Sequence, residues 1–115
     1  MIVVKVSRED YNVTAFELSG HAESGPYGYD LVCAAVSAVS FGAVNAVLQL
    51  CQIELDIDQG SEGGYLRVGI PDSIGAKVQD KVQLLFEGMF VSLQTIEQEY
   101  GEFITIEDSL KGGAD

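Results

Sequence analysis

The sequence predicts an α+β domain of two layers, in which two long helices pack on a mixed or antiparallel sheet. The first observation is an uncharged run of 23 residues from Leu31 to Ile53, which fits a largely buried helix. The second is the stretch from Val78 to Tyr100, in which apolar residues recur every three or four positions. The third is the pairing of short alternating segments around polar turns, which indicates hairpins. Together these observations give the order β-β-α-β-β-α-β.

Five strands are predicted where apolar and polar residues alternate, at residues 2–7, 13–19, 53–58, 65–70 and 102–107. Polar segments at 8–12 and 59–64 connect the two hairpins. The acidic residues from Glu54 to Asp58 share one strand face, and Arg67 on the next strand is expected to offset their charge. A calcium site needs carboxylates that converge in a loop, so this row is interpreted as a solvated face. No metal or other cofactor is expected.

The ends of both helices are also predicted. Asp30 is expected to cap the first helix, and the segment Pro71–Ser73 is expected to cap the second. Gly101 is expected to stop the second helix as the residue beyond its last turn. The uncharged run is long enough to span a membrane. That interpretation is rejected because polar residues interrupt the run and its flanks are acidic where Lys or Arg is expected.

Length and charge limit the classes of protein that fit. One domain is expected from 115 residues, covering 1–107, with a polar tail at 108–115. The formal net charge of -12 disfavours nucleic-acid binding, because phosphates require cationic side chains, and it would attract a basic polypeptide. Two cysteines in unlike contexts and a strand-like start without a signal peptide predict a reduced, cytoplasmic protein.

The segment between the second strand and the first helix holds the only histidine, His21, and one of the two cysteines, Cys33. If Asp30 is the cap, Cys33 is the third helical residue. Free backbone N–H groups and the positive end of the helix dipole favour a thiolate there. The intervening loop is long enough to return the chain to the same sheet edge, so His21 can reach the helix start. The sequence therefore predicts a Cys/His dyad, although a histidine that merely follows a strand is commonly an exposed turn residue.

Cys51 is predicted to be inert. It lies at the other end of the same helix, where the dipole disfavours an anion and Glu54 and Asp56 add negative charge. A disulfide between Cys33 and Cys51 is excluded, because 18 residues of helix at about 1.5 Å each separate the two by roughly 27 Å. A dithiol redox centre within one chain is excluded for the same reason.

Two residues near the predicted dyad each have two interpretations. Asp30 either orients His21 or only caps the helix, and a cap alone explains the residue type. Ser37 lies one turn after Cys33 and on the same helix face. It either contacts the substrate or is a small packing residue in an alanine-rich helix.

The loop at residues 23–29 contains glycines and one proline around two tyrosines. We expect this loop to be mobile when the site is empty and to order over a substrate, with Gly25, Tyr27 and Gly28 in its moving part. Such closure would bring the dyad into register only in the presence of a peptide to cut.

These residues resemble the ribosomal-processing cysteine protease family, Prp. The resemblance rests on Gly20-His21-Ala22, Gly25, Tyr27-Gly28, Asp30, Val32-Cys33-Ala34, Ser37, Phe41-Gly42, Val44-Asn45-Ala46 and the later Val91–Ile96. It runs over nearly the whole chain. It implies a small homodimeric endopeptidase with His21 and Cys33 as the catalytic dyad, and it matches the family's neighbouring aspartate and serine to Asp30 and Ser37. It also implies a substrate, a large-subunit ribosomal protein from which a short N-terminal extension is removed.

Two other classes of function remain open at this point. A non-enzymatic adaptor could bind a basic ribosomal protein through the acidic surface, and it would have no reason to keep Cys33 more reactive than Cys51. A thiol peroxidase or redox sensor would need an accessible second thiol, and Cys51 is too distant within one chain to serve. The relative reactivity of the two cysteines separates the protease from the adaptor.

Overall fold

The computed structural model of the protein describes residues 1–22, 25, 30–61 and 63–109. The elements are β1 (Ile2–Glu9), β2 (Asn12–Ser19), α1 (Leu31–Leu50), β3 (Asp56–Asp58), β4 (Tyr65–Gly69), α2 (Ala76–Tyr100) and β5 (Ile104–Asp108). The sheet order is β3-β4-β2-β1-β5, with β5 parallel to β1 and the other neighbours antiparallel. The predicted α+β class and element order are confirmed, and the sheet is of the mixed kind.

The hairpin of β1 and β2 lies near the middle of the sheet. Asp10 and Tyr11 connect the strands with φ values of 50° and 70°, the left-handed values that a tight hairpin turn requires. The register pairs Val4 with Leu18, and Leu18 in turn pairs with Leu66 of β4. All three side chains are buried. They form an apolar surface that crosses three strands.

The core lies between this apolar surface and the two helices. Phe16 of β2 meets Phe86 and Phe90 of α2 edge to face, with ring centroids 5.0 and 5.7 Å apart. The predicted buried stripe of α2 consists of the apolar residues that recur every three or four positions from Val78 to Tyr100, and it includes neither Phe86 nor Phe90. It did include Tyr100, which is 48% exposed. The buried face of α2 is therefore wider than the predicted stripe, and its last turn extends past the core.

By length and composition alone, α1 could cross a membrane. Its inner face is nevertheless part of the core, and the buried residues are Val32, Val36, Ser40, Val44 and Val47. Other large apolar side chains of the helix are exposed, among them Leu31 and Phe41. These contacts are those of a core helix whose apolar surface is covered only in part by the residues that the structure describes.

The predicted start of α2 is wrong. The helix begins at Ala76, and its N-cap is Gly75, which has extended backbone and makes no side-chain capping bond. The segment Pro71–Ser73 does not cap it, because the chain first turns and packs Ile74 against the core. At the other end, Gly101 is the C-cap with right-handed φ and ψ, so it is not the left-handed residue that the prediction required.

The first helix is shorter than the uncharged run from which it was predicted. It ends at Leu50, and Cys51 is its C-cap. The next residue, Gln52, has a φ of 53°, and a left-handed residue directly after the C-cap ends a helix. Ile53 therefore lies outside the helix and packs on the edge of the core.

The edge strand β3 is also shorter than predicted, because it begins at Asp56 rather than Ile53. Ile53 and Leu55 are half-buried against the core before the chain joins the sheet. Arg67 of β4 lies directly opposite Asp58, as the alternation predicted. The acidic side chains of this strand are exposed at the edge of the sheet.

Asp108 belongs to β5, although the prediction assigned it to the polar tail. It is 8% exposed, and its carboxylate accepts from Nε and Nη2 of Arg8 at 2.8 and 2.9 Å. The same guanidinium donates to Glu87 of α2 at 2.7 and 2.8 Å. The bonds to Glu87 and Asp108 raise the pKa of Arg8 above its ordinary value. This cluster joins β1, β5 and α2, while residues 110–115 lie outside the described part of the chain.

Candidate active site

A groove with a cavity volume of about 890 Å³ opens between the first half of α1 and the adjoining ends of β2 and β4. The predicted site residues that line it are His21, Gly25, Asp30, Cys33 and Ser37. The apolar residues that line it are Ile2, Leu18, Ala34, Val36, Phe41 and Leu66. A few polar groups set in an apolar surround are the usual form of a ligand site. The fold thus brings the predicted dyad to one concave surface.

Cys33 lies in the first turn of α1. Asp30 is the N-cap, with extended backbone, and its Oδ1 accepts a hydrogen bond from the backbone N–H of Cys33 at 3.0 Å. The carbonyl of Asp30 accepts from the N–H of Ala34 at 3.1 Å. The predicted cap is therefore confirmed. It fixes the backbone of Cys33 at the positive end of the helix dipole.

The sulfur of Cys33 contacts the strand end that carries the histidine. The backbone N–H of Ala22 donates a hydrogen bond to Sγ, with an N···S distance of 3.3 Å. Ala22 is buried and directly follows His21 in the sequence. The end of β2 and the first turn of α1 therefore meet at the sulfur.

The end of β2 is in turn joined to the start of β4. Gly20 donates its N–H to the carbonyl of Gly64 at 2.8 Å, one residue beyond the register pair Ser19 and Tyr65. Gly20 has a φ of +90°, and a Cβ there would overlap a neighbouring backbone carbonyl, so glycine is required. The next residue, His21, is exposed at this junction and faces the groove.

Comparison with known proteins identifies the family. The family model described as cysteine protease Prp matches residues 1–105. The chain belongs to the cysteine protease Prp family. It is 45% identical to the ribosomal processing cysteine protease Prp of Bacillus subtilis (strain 168) over 107 residues. The alignment covers 92% of this chain and 96% of that protein. It is 42% identical over 107 residues to the Prp of Staphylococcus aureus (strain Mu50 / ATCC 700699), with 92% and 97% covered.

Solved structures of the family share the fold. The essential ribosomal processing protease Prp from S. aureus, in complex with a covalently linked product peptide, matches with a TM-score of 0.85 and 41% identity over 94% of this chain and 99% of that one. The same protease with a substrate peptide matches with a TM-score of 0.80 and 40% identity over the same shares of the two chains. The resemblance carried by the motif around His21 and Cys33 is therefore confirmed for both family and fold.

In this member of the Prp family, two serines of α1 near the sulfur differ in their surroundings. Ser37 is exposed and lines the groove one turn after Cys33, which favours the interpretation as a substrate contact. Ser40 is 1% exposed, and among the described residues its hydroxyl finds no hydrogen-bond partner. Both serines line the groove, and they differ in exposure: Ser37 faces solvent, whereas Ser40 lies at the buried wall.

Other predicted features of the Prp site fall partly outside the described residues. Gly25 lines the groove, whereas Tyr27 and Gly28 of the predicted moving loop lie outside the part of the chain that is described.

Within the described ranges, no group of three or more His, Cys, Asp or Glu side chains is arranged to hold a metal ion. Asp56 and Asp58 of the acidic row are exposed, as the interpretation of a solvated face requires.

Tyr65 is a residue of the groove that the sequence pattern gave no reason to select. Its hydroxyl donates to Oε1 of Glu17 at 2.7 Å. This hydrogen bond raises the pKa of Tyr65, because the ionised phenol would lose the bond and face a carboxylate. Tyr65 is therefore a neutral phenol at the rim of the groove. The sequence signal that could have indicated this part of the groove is the pair Gly63-Gly64 before β4, since adjacent glycines mark a close approach of backbone to another group.

Cys51 lies at the far end of α1, outside the residues that line the groove. It is the C-cap, and its N–H donates to the carbonyl of Val47 at 3.0 Å. Cys33 and Cys51 are both free thiols, and both are half-buried. The structure therefore separates the two cysteines as the sequence predicted.

Proposed function

We propose that the chain is an endopeptidase in which Cys33 is the nucleophile and His21 is the general base. The observation that carries this proposal is the hydrogen bond from the N–H of Ala22 to Sγ of Cys33, at 3.3 Å. It connects the residue next to the histidine with a sulfur at a helix start, within one groove. A thiolate in such surroundings is a strong nucleophile near neutral pH.

The reaction has two stages. In the first, the Cys33 thiol loses its proton to His21, and Sγ attacks the carbonyl carbon of the scissile peptide bond. The tetrahedral intermediate collapses, the C–N bond breaks and the leaving amine takes the proton from His21, which leaves a thioester on Cys33. In the second, His21 removes a proton from water, the hydroxide attacks the thioester, and the sulfur leaves with the proton returned.

The oxyanion of each tetrahedral intermediate needs backbone donors. The N–H groups of the first helical turn are candidates, but those of Cys33 and Ala34 are already bonded to Asp30. The N–H of Ala22 points at Sγ, and the oxyanion forms on the carbon bonded to Sγ. The oxyanion therefore lies within reach of the Ala22 N–H, which takes part of this role.

The proposed substrate is a ribosomal protein of the large subunit that carries a short N-terminal extension. The relatives are ribosomal processing proteases, and S. aureus Prp has been crystallised with a substrate peptide and with a covalently linked product peptide. The net charge of -12 also fits a basic partner, because ribosomal proteins bind RNA and are commonly basic. The same charge disfavours direct binding of nucleic acid to this chain.

The working form is proposed to be a cytoplasmic homodimer. Three large apolar side chains of α1 are exposed, Leu31, Phe41 and Leu50, at 76%, 40% and 72% of their surface, and Phe41 also lines the groove. Leu31 lies in the first turn of α1 together with Cys33, so a partner that covers Leu31 would lie next to the groove. A second copy of the chain would remove that apolar surface from water.

The test is incubation of the purified protein with a ribosomal protein that carries its N-terminal extension, followed by intact-mass measurement. The expected result is one new mass that corresponds to loss of the extension, together with an acyl-enzyme mass on Cys33 in rapidly quenched samples. The control is the same protein treated beforehand with iodoacetamide. An unchanged substrate mass after long incubation with the active protein would leave the acidic adaptor as the better account.

A further inference from the structure

We propose that Gly64, on the connection between β3 and β4, is the positioning residue of His21. The imidazole rests against the Cα of Gly64, and the absence of a side chain there is what lets the ring stay in the groove. The catalytic part of this proposal rests on the proposed function, because it takes His21 as the general base. The contact itself does not depend on that function.

The geometry leaves no room for a side chain at this position. A Cβ built on Gly64 would lie 2.7 Å from Nε2 of His21, 3.1 Å from Cε1 and 3.3 Å from Cδ2. The three nearest atoms are thus Nε2 and the two carbons bonded to it, so the Nε2 corner of the ring lies against Gly64. Any substituent on the Cα would displace that corner.

The backbone holds Gly64 in register with the histidine. Its carbonyl accepts the N–H of Gly20 at 2.8 Å, and Gly20 is bonded covalently to His21. The neighbouring pair Ser19 and Tyr65 continues the ladder between β2 and β4. Gly64 is therefore fixed relative to the backbone of His21, and it limits the ring from the side of the β3–β4 connection.

A second glycine of the same connection provides a matched control. Gly64 has a φ of +67° and Gly60 has a φ of +69°, so a substitution imposes nearly the same backbone strain at both positions. A Cβ at Gly60 would meet Tyr65 at 3.6 Å, an ordinary contact, and Gly60 does not line the groove. The two positions therefore differ chiefly in whether a methyl group would collide with His21.

The experiment compares Gly64→Ala with Gly60→Ala by NMR of the imidazole. His21 is the only histidine, so the ring gives one Cε1–H signal without assignment. We expect Gly64→Ala to shift this signal, and Gly60→Ala to leave it within the wild-type line width. In the cleavage assay, we expect Gly64→Ala to lower kcat by roughly 10²-fold, as a misplaced catalytic group does, with KM changed less than kcat. Gly60→Ala should retain wild-type kcat.

A second pair of variants guards against loss of folding. Asparagine tolerates left-handed backbone better than alanine, so Gly64→Asn and Gly60→Asn repeat the comparison with less strain. In the wild-type protein, a nuclear Overhauser effect between the His21 ring and a Gly64 Hα proton is expected. Absence of that effect, or equal imidazole signals in the Gly64 and Gly60 variants, would overturn the positioning role. A shifted signal with unchanged kcat would also overturn the positioning role, whereas wild-type turnover in His21→Ala would overturn the proposed base.

Discussion

The two ends of α1 carry the same side chain in opposite surroundings. At the first turn, the amide of Cys33 is bonded to Asp30, and its sulfur accepts the N–H of Ala22. At the last turn, Cys51 is the C-cap and its amide is bonded back to Val47. One sulfur is therefore approached by a backbone donor from another element, while the other thiol lies at the end where the carbonyls of the helix point.

Burial does not explain the difference between them, because both thiols are half-buried. What differs is the direction of the backbone dipoles and the element that packs across the helix end. The end of β2 lies across the first turn, and it brings the Ala22 N–H and the His21 ring to the same groove. What distinguishes the proposed nucleophile is therefore its position on the helix, and not its residue type or exposure.

The largest expected effect tests this contrast by substitution. Cys33→Ala should abolish cleavage, and Cys33→Ser should come close to it, because a serine hydroxyl is far less acidic than a thiol and one imidazole cannot activate it to the same degree. Cys51→Ala should retain wild-type kcat/KM. The measurement is loss of the N-terminal extension by intact mass, with contaminating proteases excluded by a mock purification. Trimming by Cys33→Ala at a rate comparable to wild type would refute the assignment of the nucleophile.

Loss of the base is expected to have the next largest effect. His21→Ala should lower kcat/KM by roughly 10²- to 10⁴-fold, the usual contribution of a positioned general base. The sulfur should keep part of its excess reactivity toward small alkylating agents, because the helix dipole and the Ala22 N–H remain. The melting temperature serves as the control for folding. Wild-type turnover in His21→Ala would mean that another group takes the proton.

Alkylation of the unaltered protein gives a smaller effect that needs no substrate. We expect iodoacetamide to modify Cys33 roughly ten times faster than Cys51 at neutral pH, because the thiolate is the reacting form. Peptide mass spectrometry at short times measures both rates in one sample. In urea the helix is lost, so the two rates should converge. Equal rates in the folded protein would show that the ends of α1 do not differ in the way proposed.

The sequence was sufficient for features that depend on neighbours along the chain. Patterns over short segments predicted the order of elements. They also predicted the cap at Asp30 and the contrast between Cys33 and Cys51, because these residues belong to one helix. The end of α1 was less certain, because an uncharged run does not show that Gln52 adopts a left-handed conformation. Local pattern therefore predicted five of the residues that line the groove, but not Tyr65 or each boundary.

Features that join distant segments could not be predicted in the same way. Alternation indicated which strands form hairpins, but not that β4 lies next to β2, and that neighbour relation is what brings Gly64 to His21. The ion pair of Arg8 with Asp108 joins residues 100 positions apart. Because the sequence does not show this pairing, Asp108 was assigned to the polar tail. Both contacts result from sheet order, which a single sequence does not specify.

The smallest expected effect concerns Asp30, which contributes to the Cys33 end through its cap. Asparagine caps a helix about as well as aspartate, so Asp30→Asn should keep the melting temperature and hold kcat within about twofold. Asp30→Ala removes the acceptor of the Cys33 N–H and should lower the free energy of unfolding by about 1 kcal/mol. Thermal unfolding and kcat, measured on both variants, separate the two roles. A large fall in kcat for Asp30→Asn at an unchanged melting temperature would show that the carboxylate charge acts in catalysis, and the Cys33 end would then owe its reactivity to more than backbone donors.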